Sequence, residues 1–344
     1  MSASPKVSKF TTRLPMSNIR EVARLAGVSV ATVSRAISNP EKVSPASLSK
    51  VQEAIKQVDY KPNLLARNFR AARSYSVVVL LPDITNPFFA QVIQSLEDRA
   101  QQKGYAVLLG DTRGSNKRED DYISRVEMRL ADGVIQLSPC SRNHSQRGSG
   151  SIAWVNACGV EGTPGPSVRV DNIAATRSMV EYLIALGHRK FGIVTGLQDN
   201  LHSRDRRNGI DQALNKAALK LDPLWIQEGD FTLRSGISAG EAFASMQKRP
   251  TAIVCMSDQM AIGVIQALVS RGIRVPEDIS VTGFDDIPYA HCNHPTLTTL
   301  SQPATAIGST AMDLLLRVIN GEDLSHTEII LPTELIIRQS SKAV

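Results

Sequence analysis

A long apolar run is the first thing this 344-residue chain lacks. Nothing in it approaches the roughly 18 consecutive apolar residues of a membrane-spanning helix. Met1 to Met16 carry Lys6, Lys9 and Arg13 without an apolar stretch, so residues 1–16 read as a short disordered basic tail and not as a signal peptide. Cysteine is scarce as well. Cys140, Cys158, Cys255 and Cys292 are too scattered for a disulfide framework, and none falls in a C-x-x-C pair. They read as reduced thiols of a cytoplasmic protein. The cluster His291-Cys292-Asn293-His294 lacks a second ligand group nearby in sequence, so no metal and no cofactor is expected. Nor is a nucleophile elbow, a phosphate loop or a zinc spacing read along the chain, which argues against an enzyme.

What the chain does have is length and an uneven charge. Its size suffices for two or three cores, and 42% hydrophobic with 21% charged residues is the balance of a globular protein. The net charge of +6 resolves into two unlike parts. Residues 1–73 hold 13 Lys and Arg against 4 Asp and Glu, while the remainder holds 26 against 29. All the excess positive charge therefore lies in the first fifth of the chain. That is the electrostatic footprint of a nucleic-acid-binding head on a neutral or mildly acidic body.

The head, residues 17–61, carries three short helical patterns. Ser17 or Asn18 can cap a helix through about Ala26, with Ile19, Val22, Ala23 and Ala26 on one face. Gly27-Val28-Ser29 reads as a tight turn, and Ser29 can cap a second helix, Val30 to Ser38, that buries Val33 and Ile37. Two short helices across a glycine turn form a helix-turn-helix. Ser44-Pro45 announces a third helix with Leu48, Val51, Ile55 and Val58 as its apolar stripe.

The string from Ile19 to Arg35, with Val22-Ala23, Ala26-Gly27-Val28-Ser29 and Ala31-Thr32-Val33-Ser34-Arg35, resembles the N-terminal signature of the lactose/galactose-repressor family. Tyr60, Pro62, Asn63, Ala66 and Arg67 match the segment that follows it there. The resemblance implies operator DNA as a partner. The second helix would present Val30, Ala31 and Arg35 to base edges in the major groove, and Arg35 suits a bidentate contact to guanine. Ser29, Thr32 and Ser34 suit phosphates, Ser34 also fitting a plain solvated position. Residues 62–73 resemble the family's hinge helix, which enters the minor groove. Phe69 stands where the family usually inserts leucine; it is a competent wedge, and it also fits a packing role. Asn63, Arg67, Arg70 and Arg73 flank it, with the arginines suited to phosphates.

After Ser74 the pattern changes to short Val/Ile/Leu strands alternating with amphipathic helices, the mark of parallel sheets covered on both faces. Strands are read at 77–81, 105–109, 133–137, 152–155 and 168–170, then at 191–195, 252–256 and 279–284. Paired strands near 328–331 and 333–337 close the series. Helices are read between them, among them 206–218, 260–271 and 304–319. The fold expected is an all-α helix-turn-helix head followed by a periplasmic-binding-protein-like clamshell of two doubly wound parallel-sheet lobes. Residues 74–344 form the effector-binding and dimerisation domain, one lobe from about 74–171 and 303–331, the other from about 172–302 and 332–344. A small ligand belongs in the cleft between them, at the carboxyl ends of the strands.

Further strings extend the resemblance to about Arg338: Asn86-Pro87-Phe88-Phe89, Val170-Asp171-Asn172, Ser257-Asp258, Gly283-Phe284-Asp285-Asp286 and Gln302-Pro303. It implies effector contacts at Phe88, Phe89, Arg206, Phe231 and Asp285, and more weakly at Ser138. Phe89 also fits the core, Asp285 a structural role, and Asp258 reads first as a helix N-cap. Between Gln198 and Asp205 the chain departs from the family pattern, with Asn200 and His202 where some members place ligand-binding Arg and Thr. Other strings, such as Gly229-Asp230-Phe231-Thr232, resemble members that answer to nucleosides and purines, so the effector expected is a nucleoside, nucleobase or sugar. The stretch Ser141–Gly150 is short and Ser/Gly-rich where the family has a helix. No heptad pattern follows the last strand, so a homodimer is expected and not a tetramer. The resulting expectation is a cytoplasmic, ligand-responsive repressor. A periplasmic ligand-binding protein would carry a signal peptide and no basic head.

Overall fold

The structure is a computed structural model that describes residues 18–60, 73–138 and 152–344. It divides into two units, Met1–Ala72 and Arg73–Val344. The expected basic tail, the hinge residues Asn63, Arg67 and Phe69, and the stretch Ser141–Gly150 lie outside the described residues.

In the first unit three helices enclose a small core. Helix α1 (Ile19–Ala26) begins at Asn18, whose side chain accepts the Glu21 N–H at 3.0 Å. Gly27 ends it with φ 64°, a left-handed conformation open to glycine at little cost. Ser29 then caps α2 (Val30–Ser38) by accepting the Thr32 N–H at 3.0 Å. A 3-10 turn at Pro40–Lys42, which the sequence pattern does not announce, leads to α3 (Pro45–Gln57) with Ser44 as its cap. Val22, Ala23, Ala26, Val33, Ala36, Val51 and Ala54 are buried together. Ala36, and not the expected Ile37, is the deeper partner of Val33. A methyl group fits where the helices converge, and the larger Ile37 stays at the rim.

The second unit is built on two six-stranded sheets. The first contains β1 (Ser76–Leu81), β2 (Ala106–Asp111), β3 (Gly133–Gln136), β4 (Ala153–Asn156), β5 (Ser167–Val170) and β11 (Glu328–Leu331) in the order β11-β5-β4-β3-β1-β2, all parallel. The second contains β6 (Phe191–Thr195), β7 (Ile226–Glu228), β8 (Ala252–Cys255), β9 (Ser280–Asp285), β10 (Thr298–Ser301) and β12 (Glu334–Ile336), ordered β12-β10-β9-β8-β6-β7. Apart from the outer strands β11 and β12, both sheets repeat one doubly wound order, with a switch point beside β1 and beside β6. Helices α4 (Pro87–Gln102) and α10 (Ala304–Ile319) pack on the first sheet's core; α5 (Asn116–Glu127) covers its other face. In the second lobe α6 (Asn172–Ala185), α7 (Leu201–Lys216), α8 (Leu233–Ser245) and α9 (Asp258–Ser270) bury a larger cluster around Phe243, Ile193 and Val254.

Three local outcomes differ from expectation. Strands β11 and β12 do not pair with each other: β11 adds in parallel to β5 and β12 adds antiparallel to β10. Each covers the edge of one sheet, β5 in the first and β10 in the second, and becomes that sheet's outer strand. Helix α7 starts at Leu201 and not at Arg206, because Asn200 caps it by accepting the His202 and Ser203 N–H groups at 2.9 and 3.2 Å. His202 and Arg206 thereby fall one turn apart on one face. Finally, Gly236-Ile237-Ser238-Ala239-Gly240 has the letters of a nucleophile elbow, against the expectation of none. It lies inside α8 with Ser238 exposed, and its glycines let α8 meet α9: a Cβ at Gly236 would sit 2.2 Å from the Met260 carbonyl oxygen. An elbow needs a strained strand-to-helix turn, which is not what this segment forms.

Candidate functional site

Two surfaces carry the residues singled out from the sequence. On the first unit, α2 shows Val30 (41% exposed), Ala31 and Arg35 to solvent, while Val33 and Ala36 hold it to the core. Ser29 is exposed at the helix N-terminus, and its hydroxyl and that of Thr32 lie 2.9 Å apart. Ser34 is partly buried, and its carbonyl accepts from the Ser38 hydroxyl at 2.8 Å. The arrangement offers a short apolar pair, one arginine and a helix N-terminus on one rigid element, which is what a groove-reading helix requires.

On the second unit, a cavity of about 470 Å³ opens at the carboxyl ends of the strands. Asp83 follows β1, Asp111 ends β2, Leu137 follows β3 and Cys158 follows β4 on one side; Leu197 follows β6, Asp230 and Phe231 follow β7 and Asp285 ends β9 on the other. That is where doubly wound sheets place their ligands. Phe88 and Phe89 lie at the start of α4, with ring centroids 5.4 Å apart and planes tilted by 59°. Phe88 is buried and Phe89 half-buried, so both the packing and the wall-forming reading of the pair describe it. Phe231 has φ 70° and is half-buried; Gly196 leaves the room its ring takes, since a Cβ there would lie 2.1 Å from the ring.

Arg206 is the hub of the polar wall. Its Nε donates to Asn172 Oδ1 at 2.9 Å, its Nη1 donates to the Met256 carbonyl, and its guanidinium lies 3.6 Å over the Phe284 ring. Nη2 reaches Asp285 Oδ1 at 3.9 Å, and that oxygen also accepts from Gln302 Nε2 at 2.7 Å. Because the arginine only donates, Asn172 must turn its oxygen to it and its NH2 to His202 Nδ1, 3.2 Å away. His202 is thus an acceptor at Nδ1, and its neutral ring carries the proton on Nε2. Burial, with Arg206 adding to it, lowers the His202 pKa from 6.5 to about 3. Burial also lowers Arg206 against the pull of Asp285, and raises Asp285 against the pull of Arg206 and Gln302. Asp285 sits in this wall with φ 123°, followed by Asp286 at 58°; the turn concentrates backbone strain at the cavity edge.

Of the sequence-derived residues, Phe88, Phe89, Arg206, Phe231 and Asp285 line the cavity together. Ser138 does not line it; its hydroxyl accepts from Gln136 Nε2 at 3.1 Å, and its carbonyl accepts from Asn156. Asp258 is not the N-cap of α9: Ser257 is, accepting the Met260 N–H, and Asp258 is fully buried as the first helical residue. Its carboxylate accepts the Ile287 N–H at 2.8 Å and the Thr299 hydroxyl, bracing the strained turn from behind. Asn172, His202 and Gln302 are cavity residues whose place was marked only by the strings they occur in. Cys158 and Cys255 are buried thiols raised by burial, Cys158 to about 12. Among the described residues no cluster of three metal-ligating side chains occurs, and no helix is long and apolar enough to cross a membrane.

A three-helix head with an exposed second helix, and a two-lobed α/β unit with a cavity at its strand ends, define a class of ligand-sensing regulators. The chain belongs to the LacI family of bacterial regulatory proteins. Residues 18–63 match the model for bacterial regulatory proteins of the lacI family, and residues 180–341 that for a periplasmic binding protein-like domain. It is similar to the HTH-type transcriptional repressor CytR of Escherichia coli strain K12, 36% identical over 332 residues that cover 95% of this chain and 97% of the relative. The HTH-type transcriptional repressor PurR of Vibrio atlanticus is 32% identical, with 96% and 100% covered. Among solved structures, the lac repressor dimer bound to operator and the anti-inducer ONPF superposes with TM-score 0.85 at 27% identity, over 96% of this chain and all of that one.

Proposed function

We propose that this protein is a cytoplasmic transcriptional repressor that binds a pseudo-palindromic operator as a homodimer and is controlled by a small molecule in the interlobe cavity, which it binds without turning over. The observation that carries the reading is that the polar network Arg206–Asn172–His202 and Asp285–Gln302 and the rings of Phe88, Phe89 and Phe231 line one cavity. Flat apolar walls with a few fixed polar groups are what a nucleoside or a sugar ring needs. In the head, Val30, Ala31 and Arg35 read bases, and Ser29, Thr32 and Ser34 hold phosphates. Asn63, Arg67 and Phe69 keep the roles their sequence positions imply, Phe69 as the minor-groove wedge. Homodimerisation is supported by β2, an edge strand that leaves Leu108 and Leu109 37% and 43% exposed. Exposed leucines on an open edge call for a covering partner.

Effector control follows from linkage: a ligand shifts operator binding only by its different affinity for the two states of the sensor. The test is selection of duplexes from a random library by the full chain, followed by retention of the winner with and without cytidine, adenosine, hypoxanthine, ribose and lactose. A palindromic winner whose retention one of these changes is the expected result. Failure to enrich any duplex over the pool at low salt would sink the repressor reading; a winner indifferent to every compound would sink the effector half.

A further inference from the structure

Resting on the effector reading above, we propose that Asp111 is a further effector-contacting residue, and that with its acidic neighbours it restricts the cavity to unphosphorylated molecules rich in hydrogen-bond donors, polyols and nucleosides among them. Asp111 ends β2 and lines the cavity. Its Oδ2 is held by Arg113 Nε at 3.0 Å. Its Oδ1 is shielded from solvent and, among the described residues, meets no donor. A buried carboxylate oxygen without a partner is costly, and in a ligand cavity the group that relieves the cost is a hydroxyl or amine of the ligand.

Each arginine of the cavity already faces a carboxylate. Arg113 holds Asp111, Arg169 grips Glu328 through two hydrogen bonds of 2.7 and 3.2 Å, and Arg206 is divided among Asn172, Met256 and Asp285. Two more carboxylates, Asp83 and Asp230, line the same space; their hydrogen-bond partners are the backbone amides and hydroxyls of Thr85 and Thr232. A phosphate ester would bring close to two negative charges among these oxygens, where each arginine already faces a carboxylate, and would leave Asp111 Oδ1 facing another acceptor. A neutral ligand with several O–H or N–H groups meets the opposite situation.

The test is calorimetric titration of the full chain with cytidine, uridine, adenosine and glucose, each beside its phosphate ester: the three 5′-monophosphates and glucose 6-phosphate. At least one parent compound is expected to bind, with its ester weaker by about tenfold or more. Asp111→Ala is expected to weaken that parent by about tenfold, the worth of a hydrogen bond to a charged group. Asp111→Asn, which removes charge and keeps an acceptor, is expected to narrow the gap between parent and ester. An ester that binds as tightly as its parent overturns the proposed class while leaving the effector site in place. Unchanged parent affinity in both folded variants, checked by their melting curves, removes Asp111 from the site. Binding by none of the eight compounds overturns the effector reading for nucleosides and hexoses itself. If the variants fail to fold, the wild-type comparison of parent and ester still decides the class.

Discussion

The head and the sensor place their working groups in opposite ways. Val30, Ala31 and Arg35 stand in solvent on α2, positioned by a core of Val and Ala that the same few dozen residues supply. Arg206, Asp285 and Asn172 are buried, and each depends on partners brought from other parts of the chain. The difference follows from the partner each region is built to meet. A duplex is large and presents its own groove, so side chains on a rigid helix suffice. A small ligand must be surrounded, so its polar contacts are held in low dielectric, where every unmatched group is costly.

Breaking the buried network should therefore be far more damaging than altering the exposed surface. Arg206→Met leaves Asp285 without its nearest cation and Asn172 and Met256 without a donor. A loss of about 3–5 kcal/mol in the sensor's urea unfolding is expected, with the head's signal unmoved. A loss below about 1 kcal/mol would mean that the network is not preorganised. Next in size is Gly236→Ala. The new methyl would lie 2.2 and 2.6 Å from the Met260 oxygen and Cα, all backbone, so α8 and α9 must separate. The expected cost is about 1–3 kcal/mol in the same experiment.

The same contrast decides what was legible in the sequence. The head could be read almost residue by residue: Asn18, Gly27, Ser29 and Ser44 act on neighbours three or four positions away, and local chemistry fixes local structure. The alternation of strands and helices in the sensor was equally plain, because strands buried on both faces are written as continuous Val/Ile/Leu runs. Thr298–Ser301 was not read as a strand, three of its four residues being polar; its threonines serve the Asp258 and Ser341 side chains. Which edge β11 and β12 would fill was not legible either, since pairing depends on which partners remain open. In the site, Arg206 and Asp285 stood out by motif. The Asn172 bridge, the tautomer of His202 and the solvent-shielded oxygen of Asp111 are products of tertiary contact.

His202 gives a smaller and more discriminating probe of the sensor. Its folded pKa of about 3 lies below the unfolded value of 6.5, so the unfolded chain takes up the proton first. The stability that its neutral form contributes is complete above pH 6.5 and is lost as pH falls toward 3. A loss of about 1 kcal/mol is expected between pH 6.5 and 5.5. Urea unfolding of His202→Gln should lack this acid-side slope. An identical slope in the variant would assign it to other groups.

The finest comparison makes one change in both regions. Ser29 caps α2 and Ser115 caps α5, each with its hydroxyl accepting a backbone N–H, at 3.0 and 3.4 Å. Replacing either by alanine removes about 1 kcal/mol of helix-end stabilisation. In the head that helix is a third of the structure, and its small core leaves little in reserve. Hydrogen exchange of the full chain should therefore speed up throughout residues 18–60 in Ser29→Ala. In Ser115→Ala, α5 remains pinned by Ile123 and Val126 against the first sheet, so faster exchange should be confined to its first turn. Equally local effects in both variants would mean that the head is as robust as the sensor and that its exposed second helix is not balanced on a marginal core.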